Sequence, residues 1–164
     1  ATISMAFKKS EITKPFSAFG FVVPSTEKRK ISACTYSSIK FDDRAPEDHL
    51  LLRCFVGGPG KEEMVDLGDQ ELVEIARMEL KDILGLEAEP VISRVYRWQK
   101  ANPQYEVGHL ERVKEIFEQC KATTPGIYLT GSAYEGVGIP DCVHQGQMTA
   151  GQIIQYLQKE QVAA

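Results

Sequence analysis

Gly126-Ile127-Tyr128-Leu129-Thr130-Gly131, then Ser132-Ala133-Tyr134-Glu135-Gly136-Val137-Gly138, then Ile139-Pro140-Asp141-Cys142: the fold turns on this stretch. It reads as a short apolar strand bounded by glycines, a glycine-rich loop, and the start of a helix. Glycines in the loop permit positive φ and close backbone approach, and unpaired amides at a helix start attract anionic or electron-rich groups. Pro140, at the first helical position, removes a donor that would be orphaned there anyway. Such a loop delivers a helix N-terminus toward a ligand. The same residues also suit an ordinary tight junction between strand and helix.

Downstream, Ile139 to Leu157 is expected to be a helix with Ile153, Ile154 and Leu157 on one side. Upstream, His109 to Cys120 reads as a short amphipathic helix with Leu110, Val113, Ile116 and Phe117 inward. Ala101-Asn102-Pro103-Gln104 breaks the chain before it, and Val91 to Trp98 is a strand candidate. Gly68 to Leu84 has helical period, with Leu72, Ile75, Ala76, Leu80, Ile83 and Leu84 on one face and Glu71, Glu74, Glu79 and Lys81 largely off it, as a solvated side. Gly85 is a natural stop for that helix.

The first half is strand-rich. Ala1 to Phe7 contains alternating residues, Gly20 to Pro24 is a short apolar run closed by proline, Ile31 to Ile39 is rich in β-branched and aromatic residues, and His49 to Val56 is a fourth candidate. Thr26-Glu27-Lys28-Arg29-Lys30 suits a solvated hairpin connection. Gly57-Gly58-Pro59-Gly60 reads as a turn, since neither G-x-x-x-x-G-K-[ST] nor G-x-G-x-x-G occurs in the chain. The fold class expected is α+β.

With 164 residues, 43% hydrophobic and 26% charged, the chain can bury a core and falls outside the disordered, collagen-like and coiled-coil classes. Its net charge of −4 lacks the footprint of a nucleic-acid binder or a polybasic membrane anchor. No uncharged apolar run reaches the ~20 residues of a membrane span. Cys34, Cys54, Cys120 and Cys142 form no C-x-x-C pair and sit in apolar or helical segments, which fits reduced thiols and a cytoplasmic location. His49, His109 and His144 have neither metal-site spacing nor a nucleophile partner, and His109 suits capping or packing better than base catalysis. The opening Ala1-Thr2-Ile3-Ser4-Met5-Ala6-Phe7 already reads as strand, as expected of a piece cut from a longer protein.

Three motifs add a resemblance. Tyr128 to Cys142 resembles the C-terminal FAD-contacting motif of the protoporphyrinogen/coproporphyrinogen oxidases, which belong to the amine-oxidase-like flavoproteins. Arg97-Trp98-Gln99-Lys100-Ala101-Asn102-Pro103-Gln104-Tyr105-Glu106-Val107-Gly108-His109 is similar to that family's R-W-x-x-x-x-P-Q-Y-x-V-G-H segment, and Gly20-Phe21-Val22-Val23-Pro24-Ser25 to its G-F-x-x-P-S strand. The likeness is greatest to the bacterial branch that makes coproporphyrin III for haem. Asn102 departs from the family's usual apolar residue, Ser132-Ala133 varies a small pair, and the family's dinucleotide-binding G-x-G-x-x-G is absent.

The resemblance implies an oxygen-dependent FAD oxidoreductase of haem biosynthesis that takes hydride from a porphyrinogen, coproporphyrinogen III or protoporphyrinogen IX, and yields hydrogen peroxide from dioxygen. It implies that residues 1–98 belong to a substrate-binding domain and 99–164 to the C-terminal part of an FAD-binding domain, whose N-terminal part lies elsewhere in the same protein. The FAD contacts it implies are Trp98, Gly131, Val137, Gly138, Ile139 and Asp141. Val137, Gly138 and Ile139 would lie against the isoalloxazine, the following helix would aim at its pyrimidine end, and Trp98 would pack nearby. No residue is implied as acid or base, because the flavin carries the chemistry. Taken alone, Trp98 reads as a core tryptophan at a strand end, and Phe21 and Phe55 are bulky enough to wall an apolar pocket. Two other readings stay open: a scaffold fragment without cofactor, and a related amine oxidase.

Overall fold

The computed structural model describes residues 1–99 and 101–163, with side chains of the last helix through Lys159; Lys100 of the second motif and Ala164 lie outside the described residues. The chain divides into two compact units, Ala1–Gln99 and residue 100 onward.

The first unit is a five-stranded antiparallel sheet with one helix on it. β1 (Thr2–Lys8), β2 (Gly20–Val22), β3 (Ile31–Tyr36), β4 (His49–Val56) and β5 (Ile92–Tyr96) lie in the order β2-β3-β4-β1-β5. Alternation decides the faces. Ile3, Met5 and Phe7 of β1 and Leu50, Leu52, Cys54 and Val56 of β4 are buried on one side. β3 needs a device to match them, because Ile31 and Cys34 differ by an odd spacing. A bulge between Ile31 and Ala33 lets both face the core.

A four-residue helix, α1 (Ser37–Lys40), and then α2 (Asp69–Leu84) follow in chain order around β4. α2 seats Leu72, Ala76 and Leu80, all 0% exposed, on the sheet. Each leucine contributes about 1.5–3 kcal/mol by leaving water. Gly85, at φ 69°, ends the helix; its amide reaches the Lys81 carbonyl, and Leu86 is buried just beyond.

Four expectations change here. The third strand stops at Tyr36, not Ile39, because the Ser38 hydroxyl accepts the Leu51 amide in place of a strand carbonyl. The Thr26–Lys30 connection is tethered: Arg29 bonds Glu79 and Asp82, and the Lys30 amide donates to Glu79 at 2.8 Å. Glu79, 12% exposed, is therefore an anchor, not part of a solvated side. Phe21 pairs with Cys34 on the core side and packs edge-on with Tyr36, whereas Phe55 pairs with Thr2 on the other face, so the two cannot wall one pocket.

The second unit contains α3 (His109–Thr123) and α4 (Ile139–Ala163). Its inner stripe along α3 is His109, Val113, Phe117 and Cys120; Leu110 and Ile116 point outward, contrary to expectation. Ile153, Ile154 and Leu157 of α4 are also exposed, and Cys142, Gln145, Thr149 and Tyr156 face inward. Gly126–Gly131 forms no strand, for a physical reason: a strand requires a ladder, and no described residue of this unit offers one.

Candidate functional site

Gly138 closes the loop. Its carbonyl accepts the Cys142 amide at 3.0 Å, which makes it the residue on which α4 begins. Ile139 and Pro140 are then the first two helical residues, one position later for proline than expected. Gly131 and Gly136 sit at φ 121° and 103°, a region that side chains resist. Gly138 does not need such an angle; its use is room. A Cβ there would stand 2.7 Å from Oδ2 of Asp141, and one on Gly136 would stand 2.9 Å from the same carboxylate. Asp141 thus folds back over the two glycines, placing a negative charge at the positive end of the helix dipole.

The loop is held from behind by three side chains. The Tyr105 hydroxyl donates to the Ser132 carbonyl at 2.6 Å and accepts the Gly136 amide at 2.9 Å. His109 Nε2 meets the Tyr134 carbonyl at 2.8 Å; since a carbonyl only accepts, Nε2 carries the proton. Gln145, 8% exposed, accepts the Gly131 amide at 3.2 Å through Oε1 and donates through Nε2 to the carbonyls of Glu135, at 2.6 Å, and Gly136, at 3.4 Å. From Gly131 to Gly136 every residue but Ala133 has a backbone group so held. Net, each bond stabilises by about 0.5–1.5 kcal/mol.

Just after the held segment, the exposed side chains are apolar. Val137 is 55% and Ile139 81% exposed, either side of Gly138. An exposed apolar pair, a bare backbone between them and the amides of a helix start together form a surface suited to the edge of a flat heteroaromatic ring.

Of the expected contacts, Gly131, Val137, Gly138, Ile139 and Asp141 fall in this one loop and helix start. Trp98 belongs to the first unit. It is 63% exposed, so it is no core tryptophan, and its Nε1 donates to Thr2 Oγ1 at 3.3 Å. Beside it, Arg97 holds the start of α2, donating to the carbonyls of Val65 and Leu67 and pairing with Asp69. Tyr105 stands in the R-W-x-x-x-x-P-Q-Y-x-V-G-H segment with no role of its own assigned there, and Gln145 lies outside all three motifs. A glutamine on the inward stripe of α4, three residues beyond Cys142, was the available signal.

The first unit presents a second surface, the sheet face opposite α2. Arg53 and Arg94 flank Ser4 in register, with the row of Leu51, Ala6 and Ile92 on one side of them and the row of Phe55, Thr2 and Tyr96 on the other.

Residues 5–154 match the family described as flavin containing amine oxidoreductase. Among curated proteins, the chain is 38% identical over 157 residues to the coproporphyrinogen III oxidase of Bacillus subtilis, covering 96% of this chain and 33% of that protein. It is 30% identical over 155 residues to protoporphyrinogen oxidase 2, chloroplastic/mitochondrial, of Arabidopsis thaliana, covering 93% and 30%. A crystal structure of a "putative protoporphyrinogen oxidase" from Exiguobacterium sp. 255-15 superposes with a TM-score of 0.80 at 35% identity, over 94% of this chain and 34% of that one. The chain thus spans about a third of the length of these relatives.

Proposed function

The chain belongs to the flavin-containing amine oxidoreductase family, and we propose that it works within an FAD-dependent enzyme that oxidises coproporphyrinogen III to coproporphyrin III. The observation that carries this reading is the braced loop of residues 131–136, which leaves Val137 and Ile139 exposed on either side of Gly138 at the start of a 25-residue helix. The residues present fit a flavin: Val137 and Ile139 expose apolar side chains beside the unpaired amides at the start of α4. The names of the relatives, oxidases of coproporphyrinogen III or protoporphyrinogen, supply the substrate class.

In this reading Gly131, Val137, Gly138, Ile139 and Asp141 line the flavin. When bound, FAD would supply the two-electron oxidation, with dioxygen as the final acceptor and hydrogen peroxide as its product. The chain's own part is binding and tuning. The α4 N-terminus favours negative charge beside it by about 0.3–1 kcal/mol, and the Asp141 carboxylate offsets part of that effect. Arg53 and Arg94, set among Leu51, Phe55, Ile92 and Tyr96, suit a large apolar macrocycle that bears carboxylates. Residues 1–98 then serve a substrate-binding domain. Residues 99–164 complete an FAD-binding domain of the FAD/NAD(P)-binding type, whose further chain covers Leu110, Ile116, Ile127 and Val143, all now exposed. Among the described residues no helix is long and apolar enough to cross a membrane; we place the enzyme in the cytoplasm.

The test uses the full-length protein that carries this chain. It should purify yellow with FAD and turn coproporphyrinogen III into a fluorescent porphyrin with oxygen uptake. Faster turnover of protoporphyrinogen IX would move the substrate to that porphyrinogen, and oxidation of simple amines instead would refute the reading. The 164 residues alone should be colourless, since a flavin held only at its ring edge binds weakly; stoichiometric FAD on them would overturn that.

A further inference from the structure

We infer that Tyr105, His109 and Gln145 are positioning residues that preset the 131–136 loop for the flavin, a step that rests on the flavoenzyme reading and names residues beyond its contact set. The loop has little structure of its own. One turn bond, from the Tyr134 amide to the Gly131 carbonyl at 3.1 Å, lies within it, and its two glycines at positive φ carry the largest backbone freedom. Left alone, such a segment would have to be ordered at the moment of binding, and affinity would fall accordingly.

The three side chains remove that cost beforehand. They come from two directions: Tyr105 and His109 from the turn into α3, and Gln145 from the second turn of α4. Tyr105 bridges the loop's two ends, Ser132 and Gly136, with a single hydroxyl used as both donor and acceptor. Gln145 uses its oxygen on Gly131 and both amide hydrogens on Glu135 and Gly136. All three bind the main chain of residues 131–136, and none bonds Val137, Gly138 or Ile139. That division of labour separates holding the loop from touching the ligand. It also joins two of the sequence motifs: the Pro103-Gln104-Tyr105 to His109 segment is the brace, and the glycine loop is what it braces.

Deflavinated full-length protein carrying this chain is titrated with FAD, reading flavin fluorescence for affinity and the visible band for environment. Tyr105→Phe keeps the ring and loses both bonds; FAD should bind about tenfold more weakly, with the band of the bound flavin displaced toward that of free FAD. His109→Leu should weaken binding similarly, and His109→Gln, which can still donate to the Tyr134 carbonyl, should recover most of it. Gln145→Leu should weaken it at least as much as Tyr105→Phe; if that variant does not fold, the tyrosine and histidine variants decide. Unchanged affinity and band in Tyr105→Phe would overturn the proposal. So would weaker binding accompanied by a large drop in melting temperature and an unshifted band, the signature of a merely structural role. A wild-type protein that binds no flavin would refute the flavoenzyme reading itself, and this inference with it.

Discussion

Cys34 and Cys54 stand directly opposite each other across β3 and β4, both on the core face and both at most 1% exposed. The hydrogen bond that the protonated Cys54 thiol makes to Cys34, together with burial, pushes it well above its ordinary value of 9.0. The folded state therefore keeps a proton that the unfolded chain gives up as pH rises through about 9. Stability is intact below that pH and falls above it, by about 1.4 kcal/mol per unit for one such group. Tyr36, also raised by burial, adds to the fall at higher pH. Thermal melts should drop by roughly 3–6 °C between pH 9 and 10, and Cys54→Ala should flatten the slope while lowering the whole curve. A pH-independent melt would refute this. Thiol labelling at neutral pH should reach Cys120 and Cys142, both half-buried, before the core pair.

Arg97 makes a three-way hold on the start of α2 that only a planar fork can reproduce. Arg97→Lys should cost about 1–2 kcal/mol and lower the melting temperature by a few degrees, although charge is conserved. An unchanged denaturation midpoint would mean the hold does not form.

Gly20 lies at φ 145°, and a Cβ on it would come within 2.2 Å of the Cys34 carbonyl oxygen, main chain that cannot step aside. Gly20→Ala should destabilise by about 3 kcal/mol or more, a drop of roughly 6–12 °C. Gly58, whose Cβ would meet open space, is the control position for substitution to alanine at positive φ, with a smaller loss.

Gly138 differs from Gly20 in what obstructs it. The Asp141 carboxylate is the end of a side chain and can swing away, so Gly138→Ala should fold. Gly138→Val should fold too, yet bulk on the proposed ligand side should weaken FAD binding in the full-length protein by roughly tenfold or more. Equal flavin content in the wild type and valine variants would detach this residue from the cofactor.

Arg53 tests the open sheet face. Arg53→Gln should raise KM for coproporphyrinogen III roughly tenfold with little change in kcat, because one carboxylate contact of the ground and transition states alike is lost. A fall in kcat at constant KM would argue that the arginine serves the chemistry, not the grip.

Much of this was legible along the chain because it is local. The alternation in Ala1 to Phe7, the apolar run of His49 to Val56, the helical period from Leu72 to Leu80 and the stop at Gly85 each follow from short-range geometry, as does the glycine loop ahead of Pro140. Long-range pairing was not legible. The bulge that turns both Ile31 and Cys34 inward, the anchoring of Arg29 by Glu79, and the opposite faces of Phe21 and Phe55 depend on partners tens of residues away. Periodicity also misjudged α3, since an apolar stripe shows which residues seek cover and not which find it: Leu110 and Ile116 are exposed while Gln145 of α4 is buried. That burial was decided by the loop's own orphaned amides and carbonyls, which drew Tyr105, His109 and Gln145 together because a backbone without a ladder must be satisfied by side chains.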